Sequence, residues 1–223
     1  MLNSDADERR ELCLSRAGVY KLLGAMFLYE PRLPFLRQLK QPEVASIFES
    51  LGVPLLEPGS DAGQTTEGLV EELAVEFARL FLGPGRHFPP YESVWVGNVN
   101  SSPEGGGLLF GPQAVAVRRE IDGLGLAVLA DRGVLPDHIG IELQLVAFMA
   151  EQEAVSWETG DRDAADRWRA RQISFLDDHI LRWVPAYCST VEKEAEKRFY
   201  TRLARLTSMF VTSDRQAFSG PHA

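Results

Sequence analysis

Apolar residues recur at helical period along almost the whole chain. Leu12, Val19, Leu23, Met26 and Phe27 share an approximate face and predict a first amphipathic helix. Pro31 and Pro34 punctuate the chain, after which Leu36, Leu39, Val44, Ile47, Phe48 and Leu51 predict one or two short helices over 35–51. Leu69, Leu73, Phe77, Leu80 and Phe81 mark a strongly amphipathic helix, which Gly83-Pro84-Gly85 stops. Ala114, Val117, Ile121 and Leu124 point inward from a helix over 113–129. The clearest helix carries Ile141, Leu145, Phe148, Met149 and Val155 as its stripe, with Asp137 after Pro136 as its N-cap. A further helix over 163–183 ends before Pro185, and a last one runs from Ala186 to Phe210.

Two stretches, 54–68 and 83–112, lack this period and read as long loops. Val94-Trp95-Val96 reads as a short extended piece within the second, and the triplet Gly105-Gly106-Gly107 as a turn. Loops of such length inside a compact domain are uncommon and often functional. The ends, 1–10 and 213–223, read as frayed. No strand-and-turn alternation supports a sheet. The expectation is an all-α fold, a single-domain helical array over 1–223 with long inter-helix loops, unlike a simple up-and-down four-helix bundle.

Composition narrows the function. With 223 residues, 45% of them hydrophobic, the chain can bury one substantial core. Its formal charge of −9 disfavours broad nucleic-acid binding and favours cationic partners. No apolar run approaches the ~18 residues of a membrane helix. Two cysteines, Cys13 and Cys188, make neither a disulfide framework nor a Cys-rich metal site, which suits a reducing cytoplasm. Arg9-Arg10 before an apolar stretch has the outline of a twin-arginine leader, but Arg16 and Lys21 interrupt that stretch. The helical reading is preferred.

Local motifs for chemistry are missing. There is no phosphate loop, no Glu-x-x-His pair on two helices and no His-Glu-x-x-His. No catalytic residue, metal or cofactor is expected. Three constellations stand out instead. Phe88-Pro89-Pro90-Tyr91-Glu92-Ser93-Val94-Trp95 sets rings beside a carboxylate on a proline-stiffened backbone. Residue types alone allow either an exposed grip or a plug into the core. Pro136-Asp137-His138 opens the clearest helix, where Asp137 serves as a cap or as part of a site. Phe175 to Pro185 places His179 and Trp183 one turn apart, a pattern read as a packed helix end.

Together these resemble the TorD family of cytoplasmic chaperones for molybdenum-cofactor oxidoreductases. Arg16-x-x-x-Tyr20-x-x-Leu23, Glu76-Phe77-x-Arg79-Leu80-Phe81-Leu82-Gly83-Pro84, Pro89-Pro90-Tyr91-Glu92-Ser93-Val94-Trp95, Pro136-Asp137-His138 and Phe175 to Pro185 occur in the family's order over residues 12–210. Leu135 replaces a glutamate common in the family. The resemblance implies a protein without turnover that binds an apo molybdopterin oxidoreductase catalytic subunit through its twin-arginine leader and holds it until cofactor insertion. It implies a peptide site at Tyr91, Glu92, Trp95, Asp137 and His138, with Tyr20 contributing, and no nucleic acid or membrane span. The assembly would be a monomer or a helix-exchanged dimer. Two other readings stand beside it: a nitrate-reductase-type assembly factor for a non-exported apo-subunit, and a cofactor- or nucleotide-binding enzyme or carrier using Asp137 and His138.

Overall fold

A computed structural model describes residues 2–56, 65–83, 87–96, 109–126 and 133–219. In chain order the helices are α1 (Leu2–Leu28), α2 (Leu33–Leu39), α3 (Pro42–Ser50), α4 (Thr66–Phe77), α5 (Glu92–Val96), α6 (Pro112–Gly123), α7 (Ile139–Thr159), α8 (Arg162–Phe175), α9 (Leu181–Glu194) and α10 (Arg198–Ala217). Wide π-turns over Ala78–Leu82 and Leu176–Ile180 extend α4 and join α8 to α9. Among the described residues there is no strand, only an isolated antiparallel bridge between Tyr91 and His138. The fold is all-α. The turns read at 84–86 and 105–107, and the middle of both long loops, lie outside the described residues.

One apolar core runs through the array, and its centre is the crossing of α1 and α7. Glycines at the crossing let the two backbones touch. A Cβ on Gly140 would meet Leu28 Cγ at 2.4 Å and the Gly24 carbonyl at 2.7 Å. Side chains any larger would force the helices apart. The inward stripe of α1 is Cys13, Ala17, Tyr20, Leu23 and Phe27, whereas Leu12 is 61% exposed. Leu23, Met26 and Phe27 are buried as expected and Val19 packs against the core; the pattern missed Cys13, Ala17 and Tyr20, small or polar-tipped residues that hydrophobic periodicity underweights. Val155 likewise faces out from α7.

Several boundaries also differ; α6, expected over 113–129, ends at Gly123. Helix extends through 2–10 and on to Ala217, where fraying was expected. Arg9 pairs with Asp5 and lies 5.1 Å over the Trp157 ring, and α10 stays anchored through buried Asp214. Pro185 does not end its helix; α9 runs through it to Glu194. It lies one turn after the π-turn, where the ladder has already departed from its regular i→i−4 pattern. The break falls at 195–197, between α9 and α10. Glu76 and Arg79 satisfy it from α4 and its π-turn: Glu76 Oε1 accepts from the Glu196 N–H at 2.6 Å, and Arg79 donates to the Glu194 carbonyl at 2.7 Å. Burial alone would raise the Glu76 carboxyl pKa, but Arg79 and the backbone donors bring it below the ordinary value.

Candidate functional site

The Pro-Pro-Tyr motif, inside the second long loop, and the Pro-Asp-His motif before α7 come together at one corner. The Pro-Pro segment cannot join a regular ladder, so its neighbours pair with the turn before α7. Ile139 N–H donates to the Pro90 carbonyl and Glu92 N–H to the Asp137 carbonyl, each at 2.9 Å. Val94-Trp95-Val96, expected to be extended, is helical and belongs to α5. The reason is Asp137: its Oδ2 accepts from the Ser93 N–H at 2.9 Å and caps that short helix across space. The expected cap of α7 by Asp137 is corrected accordingly. His138 caps α7, its Nδ1 accepting from the Gly140 N–H at 3.0 Å.

That bond requires an unprotonated Nδ1. Burial disfavours the imidazolium and lowers the His138 pKa to about 3, so the ring is neutral throughout the physiological range. Tyr91 packs edge-on against it with ring centroids 5.1 Å apart. Trp95 donates its indole N–H back to the Pro89 carbonyl at 2.9 Å and meets Tyr187 edge-on at 5.2 Å. Both rings remain half-buried. Each ring is held edge-on against a buried neighbour and keeps part of its surface open to solvent.

Glu92, Asp137 and Tyr20 are fully enclosed. Glu92 and Asp137 support the rings from beneath, and Tyr20 belongs to the core under α10, its hydroxyl donating to Asp214 at 2.7 Å. Glu92 Oε2 meets His179 Nδ1 at 2.8 Å. Trp183 donates its indole N–H to Glu142 Oε2 at 3.1 Å. The segment read as a packed helix end thus reaches the underside of the ring corner. The π-turn over Leu176–Ile180 carries His179 there, a kind of distortion frequent at functional sites. Beside it opens a cleft of about 140 Å³ lined by Glu120, Arg171, Ser174, Phe175, Asp178 and His179. Glu142 was missed because its partners come from distant segments; the Glu92–His179 meeting has no local sequence signal.

No described helix is long and apolar enough to cross a membrane. Both cysteines are buried, and burial with nearby Glu153 pushes the Cys13 thiol up to about 12, so it is inert at neutral pH.

Sequence comparison gives the class to which this helical array belongs. The family model described as nitrate reductase delta subunit matches residues 38–189. The chaperone protein TorD of Shewanella loihica is 31% identical over 214 residues, covering 91% of this chain and 92% of the relative. TorD of Vibrio atlanticus is 28% identical, covering 92% and 95%. A Haemophilus influenzae protein named probable Tat proofreading chaperone DmsD is 26% identical, covering 87% of each. The chain belongs to this TorD-like family. Its relatives are named as chaperones, a role without substrate turnover.

Proposed function

We propose that the protein is a cytoplasmic chaperone for an apo molybdenum-cofactor oxidoreductase, binding its twin-arginine leader at the Tyr91–Trp95 corner until cofactor insertion is complete. The observation that carries the reading is the pair of half-buried rings pinned by the Asp137 cap and the Tyr91–His138 bridge. Similarity to a relative named for Tat proofreading supports the leader as ligand.

Energetics favour an apolar grip. Micromolar binding needs about 8 kcal/mol, and ordering a disordered peptide costs a further ~2–5 kcal/mol. Exposed Arg–carboxylate pairs give about 0–1 kcal/mol each. Ring surface therefore supplies most of the affinity, and the charge of −9 mainly speeds encounter with a cationic leader.

Affinity capture from the native cytoplasm, followed by calorimetry with the captured subunit's leader peptide, tests this. Trp95→Ala is expected to weaken binding by about tenfold or more, as loss of an aromatic anchor does, and more than Glu92→Gln. Equal affinity of wild type and Trp95→Ala overturns the site. A second reading has its own support in the match to the delta-subunit family model: binding of a non-exported apo-subunit. A captured client without a twin-arginine leader selects it.

A further inference from the structure

Beneath the rings, Glu92 from α5, Glu142 from the first turn of α7 and His179 from the π-turn each offer one donor atom within 4.8 Å of the others. Both glutamate side chains are fully enclosed, and the Oε1 atom of each lacks a hydrogen-bond partner among the described residues. Asp137 lies close enough for its charge to bear on Glu142. No lysine or arginine pairs with these carboxylates among the described residues; His179 is their one basic partner. Enclosed carboxylates without a balancing group are costly, and the cluster calls for a cation or a proton.

We propose that Glu92, Glu142 and His179 form a binding site for a divalent transition-metal cation, reached from the cleft at His179. Two carboxylates and an imidazole suit borderline divalent metals. The supports such a site needs are present: Trp183 orients Glu142 through its second oxygen, and the π-turn presents the imidazole. His179 keeps 12% of its side chain exposed while Glu92 keeps none, so the imidazole stands between the enclosed oxygens and the cleft. The cleft gives a bound ion its entry path and water for an open coordination position. A proton shared by the glutamates would satisfy both Oε1 atoms and leave the His179–Glu92 contact in place, so titration with metal separates it from a cation. An ion held here ties α5 to α7 and the π-turn, and so fixes the rings above. The inference is independent of what the rings bind.

The test uses the full chain, stripped with a chelator and titrated with Zn²⁺ by calorimetry and with Co²⁺ by visible absorbance at neutral pH. One equivalent is expected to bind with a dissociation constant in or below the micromolar range, with Co²⁺ giving ligand-field bands. Glu142→Gln and His179→Ala are each expected to weaken binding by about 10–100-fold. Glu142→Gln is isosteric and neutral, so unchanged circular dichroism separates a lost ligand from a lost fold. Unchanged Zn²⁺ affinity in both variants means adventitious surface binding and overturns the site. So does absence of saturable binding below about 100 μM. A protonated-carboxyl infrared band lost in Glu142→Gln, with no metal bound, assigns the cluster to a shared proton and overturns the proposal equally.

Discussion

Two enclosed polar networks draw on α7, one through Glu153 and the other through Glu142 in its first turn, and they are built to opposite rules. In the first, Arg16 forks onto Asp214, Nε to Oδ1 at 2.5 Å and Nη2 to Oδ2 at 2.9 Å. Tyr20 bonds the same carboxylate, Gln172 bridges Arg16 to Glu153, and the Phe218 ring lies 4.4 Å beneath the guanidinium. No enclosed atom of these side chains lacks a partner. In the second, around Glu92, oxygens of Glu92, Asp137 and Glu142 are enclosed and unpartnered. The first network joins α1, α7, α8 and α10 into the core, whereas the second underlies the ring corner proposed as the binding site. Saturated polarity specifies the fold; unsaturated polarity leaves capacity for a ligand or a switch.

The largest effect is expected from Arg16→Ala. Removing the cation strands Asp214 and Glu153, and a loss of about 3–5 kcal/mol is expected in urea unfolding. A loss below ~1 kcal/mol would demote the network to ordinary surface pairing. The next effect lies in acid. His138 binds no proton in the folded state until the pH nears 3, whereas unfolded histidine binds one near its ordinary 6.5. The unfolded state therefore holds more protons between these limits. Stability contributed by the neutral ring is complete above pH 6.5 and falls on acidification at up to ~1.4 kcal/mol per pH unit. His138→Asn keeps a capping acceptor without this titration, and its acid limb should be flatter; an identical limb would place the titrating group elsewhere.

Tyr20→Phe should cost about 1.5–3 kcal/mol, the worth of a buried hydrogen bond to a charged group. Leader affinity should be unchanged, since the ring belongs to the core; a specific loss of affinity would return Tyr20 to the peptide site. The smallest effect is expected at Glu142. In metal-free protein Glu142→Gln should stay within about 1 kcal/mol of wild type, because the amide still accepts from Trp183 and can donate to an enclosed oxygen. A larger loss would show the network around Glu92 to be as structural as the one around Arg16.

Long-period features were legible in the sequence. Leu69, Leu73 and Phe77 on α4, and Phe199, Leu203 and Leu206 on α10, announce their inward faces by spacing. The ring loop and Asp-His corner were legible as motifs. What stayed hidden depends on contacts between distant segments. Asp137 does cap a helix, but the helix is α5, and only the bridge to Tyr91 brings it near. Residues 92–96 are helical because that cap is supplied from outside their own sequence. His179 reaches Glu92 through a π-turn that no residue pattern encodes. Pro185 looked terminal because the same turn was invisible.

The glycine crossing has a mechanical consequence. Gly140 lies two residues past His138, so the tightest approach of α1 to α7 falls beside the aromatic corner. A methyl group introduced at Gly140 would press on Leu28 and the Gly24 carbonyl, and the displacement would fall next to the His138 cap.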